Sequence, residues 1–154
     1  LFRSMKRLLI GSLAASLLLL CISVFAQVSR PYRNGSIWAM SMIRMKPGMD
    51  AAYMTYLATD WKKEREELKK EGLILSYKVL STTATYDADG WNLILMTEYK
   101  DLATYEAEAA KREAVVQRIT GNDQKLMQSY KEREEIREII DTRLAREIVL
   151  EPRR

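Results

Sequence analysis

The alternation of side chains between Ser36 and Met45 has the two-residue period of a β-strand. Ile37, Ala39, Ser41, Ile43 and Met45 fall on one side, and Trp38, Met40, Met42 and Arg44 on the other. Both sides are largely apolar, which predicts a strand covered on both faces. Lys46-Pro47-Gly48 stops it. Asp50 follows at the start of a helix, where a carboxylate suits the free amides and the positive end of the dipole. Tyr53, Leu57, Trp61 and Leu68 then recur at intervals of four, four and seven, one stripe of an amphipathic helix. The stretch from Lys62 to Glu71 is mostly charged and reads as a solvated face. Gly72 is placed to end the helix in a left-handed conformation.

Leu73 to Ser81 predicts a second strand and Trp91 to Tyr99 a third, paired antiparallel across a polar connection that holds the turn signal Asp89-Gly90. Asp101 is placed to cap the next helix, with Leu102, Tyr105, Ala109, Val116 and Ile119 on its inner side. Gly121-Asn122-Asp123 interrupts it. Asp123 is expected to cap a further helix carrying Leu126, Met127, Tyr130, Ile136 and Ile140, and the charges from Lys131 to Glu138 read as its solvated face. Asp141-Thr142-Arg143 reads as a turn into a last strand, Leu144 to Leu150, stopped by Pro152.

The order strand, helix, strand, strand, helices, strand is α+β. It is the split βαβ, ferredoxin-like arrangement: a four-stranded antiparallel sheet with helices on one face and an extended second helical region. The other face would be bare in a monomer, although the first strand is apolar there. A second copy related by a two-fold axis is the expected cover.

Ahead of this domain lies a segment of different character. Lys6 and Arg7, the uncharged run from Leu8 to Phe25, and Val24-Phe25-Ala26 have the parts of a cleavable export signal over residues 1–26, with Met5 as its start and Leu1 to Ser4 as an upstream extension. Residues 27–35, polar and containing Pro31, Asn34 and Gly35, read as a linker to the domain at 36–151. The expected product is exported, periplasmic or secreted, and free of the membrane once the signal is removed.

That processing changes the charge. The chain holds 25 Lys and Arg against 21 Asp and Glu, but without Arg3, Lys6 and Arg7 the balance is 22 against 21. No sustained basic patch is left for nucleic acid. The single cysteine, Cys21, leaves with the signal, and there is no histidine. Those absences exclude a Ser-His-Asp triad, a Cys-His pair and histidine- or thiolate-ligated metals. No cofactor and no metal are expected.

Met42-Ile43-Arg44-Met45-Lys46-Pro47-Gly48-Met49-Asp50-Ala51-Ala52-Tyr53 resembles the strand, turn and helix start of the dimeric α+β barrel superfamily. Trp91 to Tyr99 running into Lys100-Asp101-Leu102-Ala103-Thr104-Tyr105 is similar to its third strand and second helix. Arg143 to Leu150 resembles the close of exported, uncharacterised bacterial members. The resemblance implies a homodimer of two sheets closed into a barrel. It implies no single activity, because the superfamily includes cofactor-independent monooxygenases, haem enzymes, isomerases and members without known activity. Haem-binding members generally need a histidine at the iron.

The candidate pocket is drawn from Trp38, Met40, Met42, Arg44, Tyr53, Trp61, Tyr77, Asn92, Glu98 and Tyr99. Methionines and aromatics make adaptable apolar walls, suited to a flat hydrophobic ligand and equally to a filled core. Arg44 and Glu98 sit near strand ends among apolar neighbours, either orienting a ligand or forming a salt bridge. The leading expectation is a binding or interaction protein for a small apolar or aromatic molecule. The alternative is a cofactor-independent monooxygenase or isomerase acting on an aromatic or polyketide-like substrate, for which tryptophan and asparagine in the pocket are the implied residues.

Overall fold

The computed structural model describes residues 30–82 and 90–151. The expected export signal, Asp89 and Pro152 lie outside the described residues. The elements run β1 (Tyr32–Met45), α1 (Asp50–Tyr56), a π-helical segment (Leu57–Trp61), α2 (Lys62–Lys70), β2 (Ser76–Ser81), β3 (Leu93–Tyr99), α3 (Leu102–Ala107), α4 (Ala109–Thr120), α5 (Asp123–Ile136) and β4 (Arg137–Leu150). The chain is α+β, with one four-stranded antiparallel sheet in the order β2-β3-β1-β4. That order is consistent with the split βαβ arrangement.

The register follows from burial. Ile43 stands opposite Leu93, Ser41 opposite Leu95, Ala39 opposite Thr97 and Ile37 opposite Tyr99, which puts the odd positions of β1 and β3 on one face. A slip of one residue would turn Ile37 and Ile43 away from their cover. Two apolar clusters lie on this side. In one, Ile37, Leu68, Leu73, Ile74, Tyr99 and Val115 are buried together. In the other, Ile43, Tyr53, Leu57, Trp61 and Leu93 are. Trp38, Met40 and Met42 are half-buried on the opposite face, level with Glu98, Met96 and Ile94.

The stripe of Tyr53, Leu57, Trp61 and Leu68 is buried as its spacing predicts. On a helix of about 3.6 residues per turn, steps of four drift sideways. The wider turn of the π-helical segment at Leu57–Trp61 takes up that drift and keeps Tyr53 and Trp61 facing the sheet. Gly72 ends α2 at φ 73°. Its N–H reaches the Lys69 carbonyl at 3.0 Å, and the Leu73 N–H reaches the Leu68 carbonyl at 2.9 Å. This pair of bonds is a Schellman closure, sealed by Leu68 against Leu73 in one apolar cluster. A Cβ added at Gly72 meets nothing within 4 Å. Gly72→Ala is therefore expected to cost about 1 kcal/mol in a urea titration, purely from left-handed backbone strain. No measurable loss would show that α2 ends some other way.

Asp101 caps α3 as expected, its carboxylate accepting from the Thr104 N–H at 2.7 Å. That bond holds its pKa below the ordinary carboxylate value. At α5 the cap is Asn122, which accepts from the Lys125 N–H at 2.9 Å, rather than the expected Asp123, which falls in the first turn.

The strand limits differ from expectation in all four strands, and β3 begins at Leu93 rather than at Trp91. β1 begins at Tyr32, so Tyr32 to Gly35 belong to the strand and not to a linker. β2 begins at Ser76, because Leu73 is used in the helix closure. The largest difference is β4. The helix stops at Ile136, and Asp141-Thr142-Arg143, expected as a turn, lies inside the strand. Pairing with β1 decides this: the Lys46 N–H donates to the Ile136 carbonyl at 3.1 Å, and Arg44 bridges to Glu138 at 3.2 Å. A long neighbouring strand outweighs a local turn preference.

The chain divides into Asn34–Val149 and a terminal unit. In the latter, the Glu151 N–H donates to the Pro31 carbonyl at 2.8 Å and Arg33 pairs with Glu151 at 3.2 Å. Among the described residues no helix is long and apolar enough to cross a membrane.

Candidate functional site

Ser41, Ile43 and Leu95 make the floor of a cavity on the helical side of the sheet. Ser41 replaces a bulky residue between Ala39 and Ile43 on β1, and it lies opposite Leu95 on β3. The helices do not close fully over this position. The space left has a volume of about 460 Å³, within the range of small-molecule sites.

Its walls come from the helices and from the start of β4. Tyr53, Tyr56 and Trp61 enter from α1 and the π-helical segment, and Val116 and Ile119 from α4. Tyr130 and Arg133, three apart on α5, share one face of that helix. Arg137 and Ile139 close the site at the start of β4, and Asp60, Lys63, Glu64 and Arg65 lie toward the α2 side. A π-helical turn is costly relative to regular helix and is often kept where a site needs it. Here it carries Asp60 and Trp61 into the lining.

The polar groups are built around arginine. Arg133 donates through Nη1 to Tyr56 Oη at 3.1 Å and to Ser129 Oγ at 3.0 Å. Its guanidinium lies 4.5 Å from the Tyr130 ring centre and 5.2 Å from that of Tyr56. Arg137 lies 5.8 Å from the Tyr53 ring centre. Arg65 donates to Thr97 Oγ1 at 3.2 Å and pairs with Glu64. Five buried side-chain polar atoms lack a hydrogen-bond partner among the described residues, and four of them belong to this lining: Tyr53 Oη, Arg65 Nε, Arg133 Nε and Arg137 Nε. Buried donors without acceptors are costly, and their gathering in one place marks it as more than a packing flaw.

Burial pushes the Tyr53 phenol up from 10.0 to about 12, with Arg137 pulling the other way. Burial also raises Tyr56 and Tyr99, and a hydrogen bond to the Glu66 carboxylate raises Tyr77. At neutral pH Tyr53 is thus a protonated hydroxyl, able to donate and to accept. A tyrosine raised above its unfolded value contributes stability that is fully present below about pH 10 and is lost as pH climbs toward about 12. An alkaline titration followed by tyrosinate absorbance should show these tyrosines lagging and then ionising together with unfolding. A single curve at the ordinary tyrosine value would refute the burial of Tyr53.

Of the candidate residues named from sequence, Tyr53 and Trp61 meet in this lining. Tyr77 is on the same side, edge-on to Trp61 at 5.3 Å. Tyr99 belongs to the other cluster, 4.8 Å from Tyr105 and under Arg112 at 5.0 Å. Asn92 ties the strand edge, accepting from the Met45 N–H at 2.9 Å. Arg44 is held by the Gly90 carbonyl at 3.0 Å and by Glu138. Trp38, Met40, Met42 and Glu98 occupy the opposite face, where Lys78 lies 5.0 Å from the Trp38 ring and Ser76 donates to Glu98. The ten residues are therefore divided between two faces and a strand edge.

Tyr56, Arg65, Tyr130, Arg133 and Arg137 line the cavity without having been singled out from sequence. The stretch containing Arg133 and Arg137 balances in charge and reads as solvated. The available signal was Tyr130 and Arg133 three apart, an aromatic and a cation on one helical face. Among the described residues no group of three His, Cys, Asp or Glu side chains is placed to hold a metal ion. No protein-family model matches the chain, and no curated protein matches it.

Proposed function

We propose that this protein is an exported homodimer that binds a small, flat aromatic molecule in the cavity between its sheet and helices. The observation that carries the reading is the lining itself: Tyr53, Tyr56, Trp61 and Tyr130 around a space of about 460 Å³, with the buried Tyr53 Oη unpaired beside it. Aromatic walls with a few directed polar groups are the usual makeup of a small-molecule site. Native mass spectrometry of the protein purified from its own host should show a retained small mass. Titration with 2-naphthamide should show binding that Trp61→Leu weakens. Absence of both would sink the reading.

The dimer rests on the opposite face of the sheet. Trp38, Met40, Met42, Ile94 and Met96 are half-buried there, and Leu80 and Ile140 are exposed. A two-fold copy laid on this face would match it with itself, apolar against apolar. The half-buried methionines are suited to that contact because they repack readily.

A second reading, a cofactor-independent monooxygenase or isomerase, is favoured by one observation. Tyr53, Arg133 and Arg137 line one open cavity, where donors of this kind would stabilise an enolate or phenolate oxygen as its charge develops. Oxygen uptake, or isomerisation without it, in the presence of polycyclic phenols and β-diketones is its test. Binding with no turnover leaves the first reading standing alone.

A further inference from the structure

The charges around the cavity are unequal. Lys63, Arg65, Arg133 and Arg137 face Asp60 and Glu64, and Glu64 is taken by Arg65. Neither Arg133 nor Arg137 has an ion-pair partner among the described residues. Arg137 makes no side-chain hydrogen bond there either, and the ring it lies over is that of Tyr53. A half-buried guanidinium loses solvation, and contact with an aromatic face leaves its N–H edge unsatisfied. Glu138, next in sequence, is turned to the other side and held by Arg44. Two unneutralised arginines beside one unpaired tyrosine hydroxyl are poorly arranged for stability and well arranged for an incoming anion.

We infer that the ligand of this cavity is an aromatic carboxylic acid, its carboxylate held by Arg137 and Arg133 with Tyr53 Oη donating, and its ring among Tyr56, Trp61 and Tyr130. This rests on the cavity being a binding site. The planar guanidinium is matched to a carboxylate, which can accept two parallel N–H bonds. Tyr53 keeps its proton and donates a third. A space of about 460 Å³ has the size of a small-molecule site and not of a groove for a nucleic acid or a peptide strand. The two arginines are not equivalent. Arg133 is already tied to Tyr56 and Ser129, so it positions the aromatic wall as well as the anion. Arg137 has no other role in the described structure and is the residue that reads the charge.

The experiment compares 2-naphthoate with 2-naphthamide, nearly the same shape without the charge, by calorimetric titration of the full protein. The naphthoate should bind at least about tenfold more tightly, an advantage that charge-assisted hydrogen bonds supply and that shrinks as salt is added. Arg137→Gln should bring naphthoate down to the level of the amide, and an unchanged circular dichroism spectrum and urea midpoint show that the variant is folded. Arg137→Lys should keep part of the difference, because a point charge remains without the planar fork. Equal binding of the two probes to the unaltered protein overturns the carboxylate inference and leaves the cavity reading intact. Naphthoate binding that survives both Arg137→Gln and Arg133→Gln overturns it too. Binding of neither probe overturns the inference together with the cavity reading.

Discussion

Leu68→Ala is expected to lower the folding free energy by about 2–5 kcal/mol. Leu68 is 1% exposed and packs with Ile37, Leu73, Ile74, Tyr99 and Val115. It joins strand, helix end and α4 in one cluster, so no single neighbour can move in to fill the space. It also supplies one side of the helix closure, since its carbonyl accepts from Leu73 while its side chain packs on that residue. A domain of this size has a total stability of roughly 5–15 kcal/mol, so the loss would be visible as a large fall in the urea midpoint. Leu102, 37% exposed on α3, serves as the control, and Leu102→Ala should change stability by no more than about 0.5 kcal/mol. Equal effects at the two positions would mean that α2 does not pack on the sheet as described.

Met40→Glu is expected to turn the proposed dimer into a folded monomer. Met40 lies on the face opposite the cavity, with Met96 as its register partner. In the separate subunit it is half-buried, so a carboxylate there can reach water at modest cost. Between two copies the same carboxylate would leave water for apolar partners and its own symmetry mate, a cost that Lys78, held over the Trp38 ring on the same face, offsets only in part. Native mass spectrometry at micromolar protein should give a dimer for the unaltered chain and a monomer for the variant, with the same circular dichroism. Naphthoate binding should survive, since the cavity lies on the other side of the sheet. An unaltered protein that is already monomeric would sink the dimer and require another cover for Trp38, Met40 and Met42.

The two faces behave differently as sequence problems. On β1 the two-residue period separates Ile37 and Ile43 from Trp38, Met40 and Met42, and the structure keeps that division. The period does not say which face receives the helices, because both are apolar. The candidate pocket drawn from sequence accordingly took residues from each side. Tyr53 and Trp61 could be placed in it because a helical stripe has only one buried side. Tyr56 escaped notice because it lies off that stripe and reaches the cavity only beside the π-helical turn.

The α5–β4 junction marks the limit of local reading. From Lys131 to Glu138 the charges nearly cancel, a pattern that belongs to a solvated helix. In the structure Ile136 ends the helix, Arg137 turns to extended backbone, and two arginines come to line a cavity opposite Tyr53. Nothing in the immediate sequence demands it, because the deciding partner is β1, far back along the chain and hydrogen-bonded to Ile136 through Lys46.

By itself the sequence determined the α+β class, the strands at their centres, the buried stripe of the long helix, the left-handed stop at Gly72 and the cap at Asp101. All of these depend on contacts or backbone preferences within a few residues, which periodicity and turn chemistry record directly. The tertiary structure alone decided which apolar face carries the helices, where α5 yields to β4, and that Tyr53, Arg133 and Arg137 line a single space. Those outcomes are set by pairing and packing between segments far apart in the chain, and charge or hydropathy at one position carries no trace of the partner that will face it.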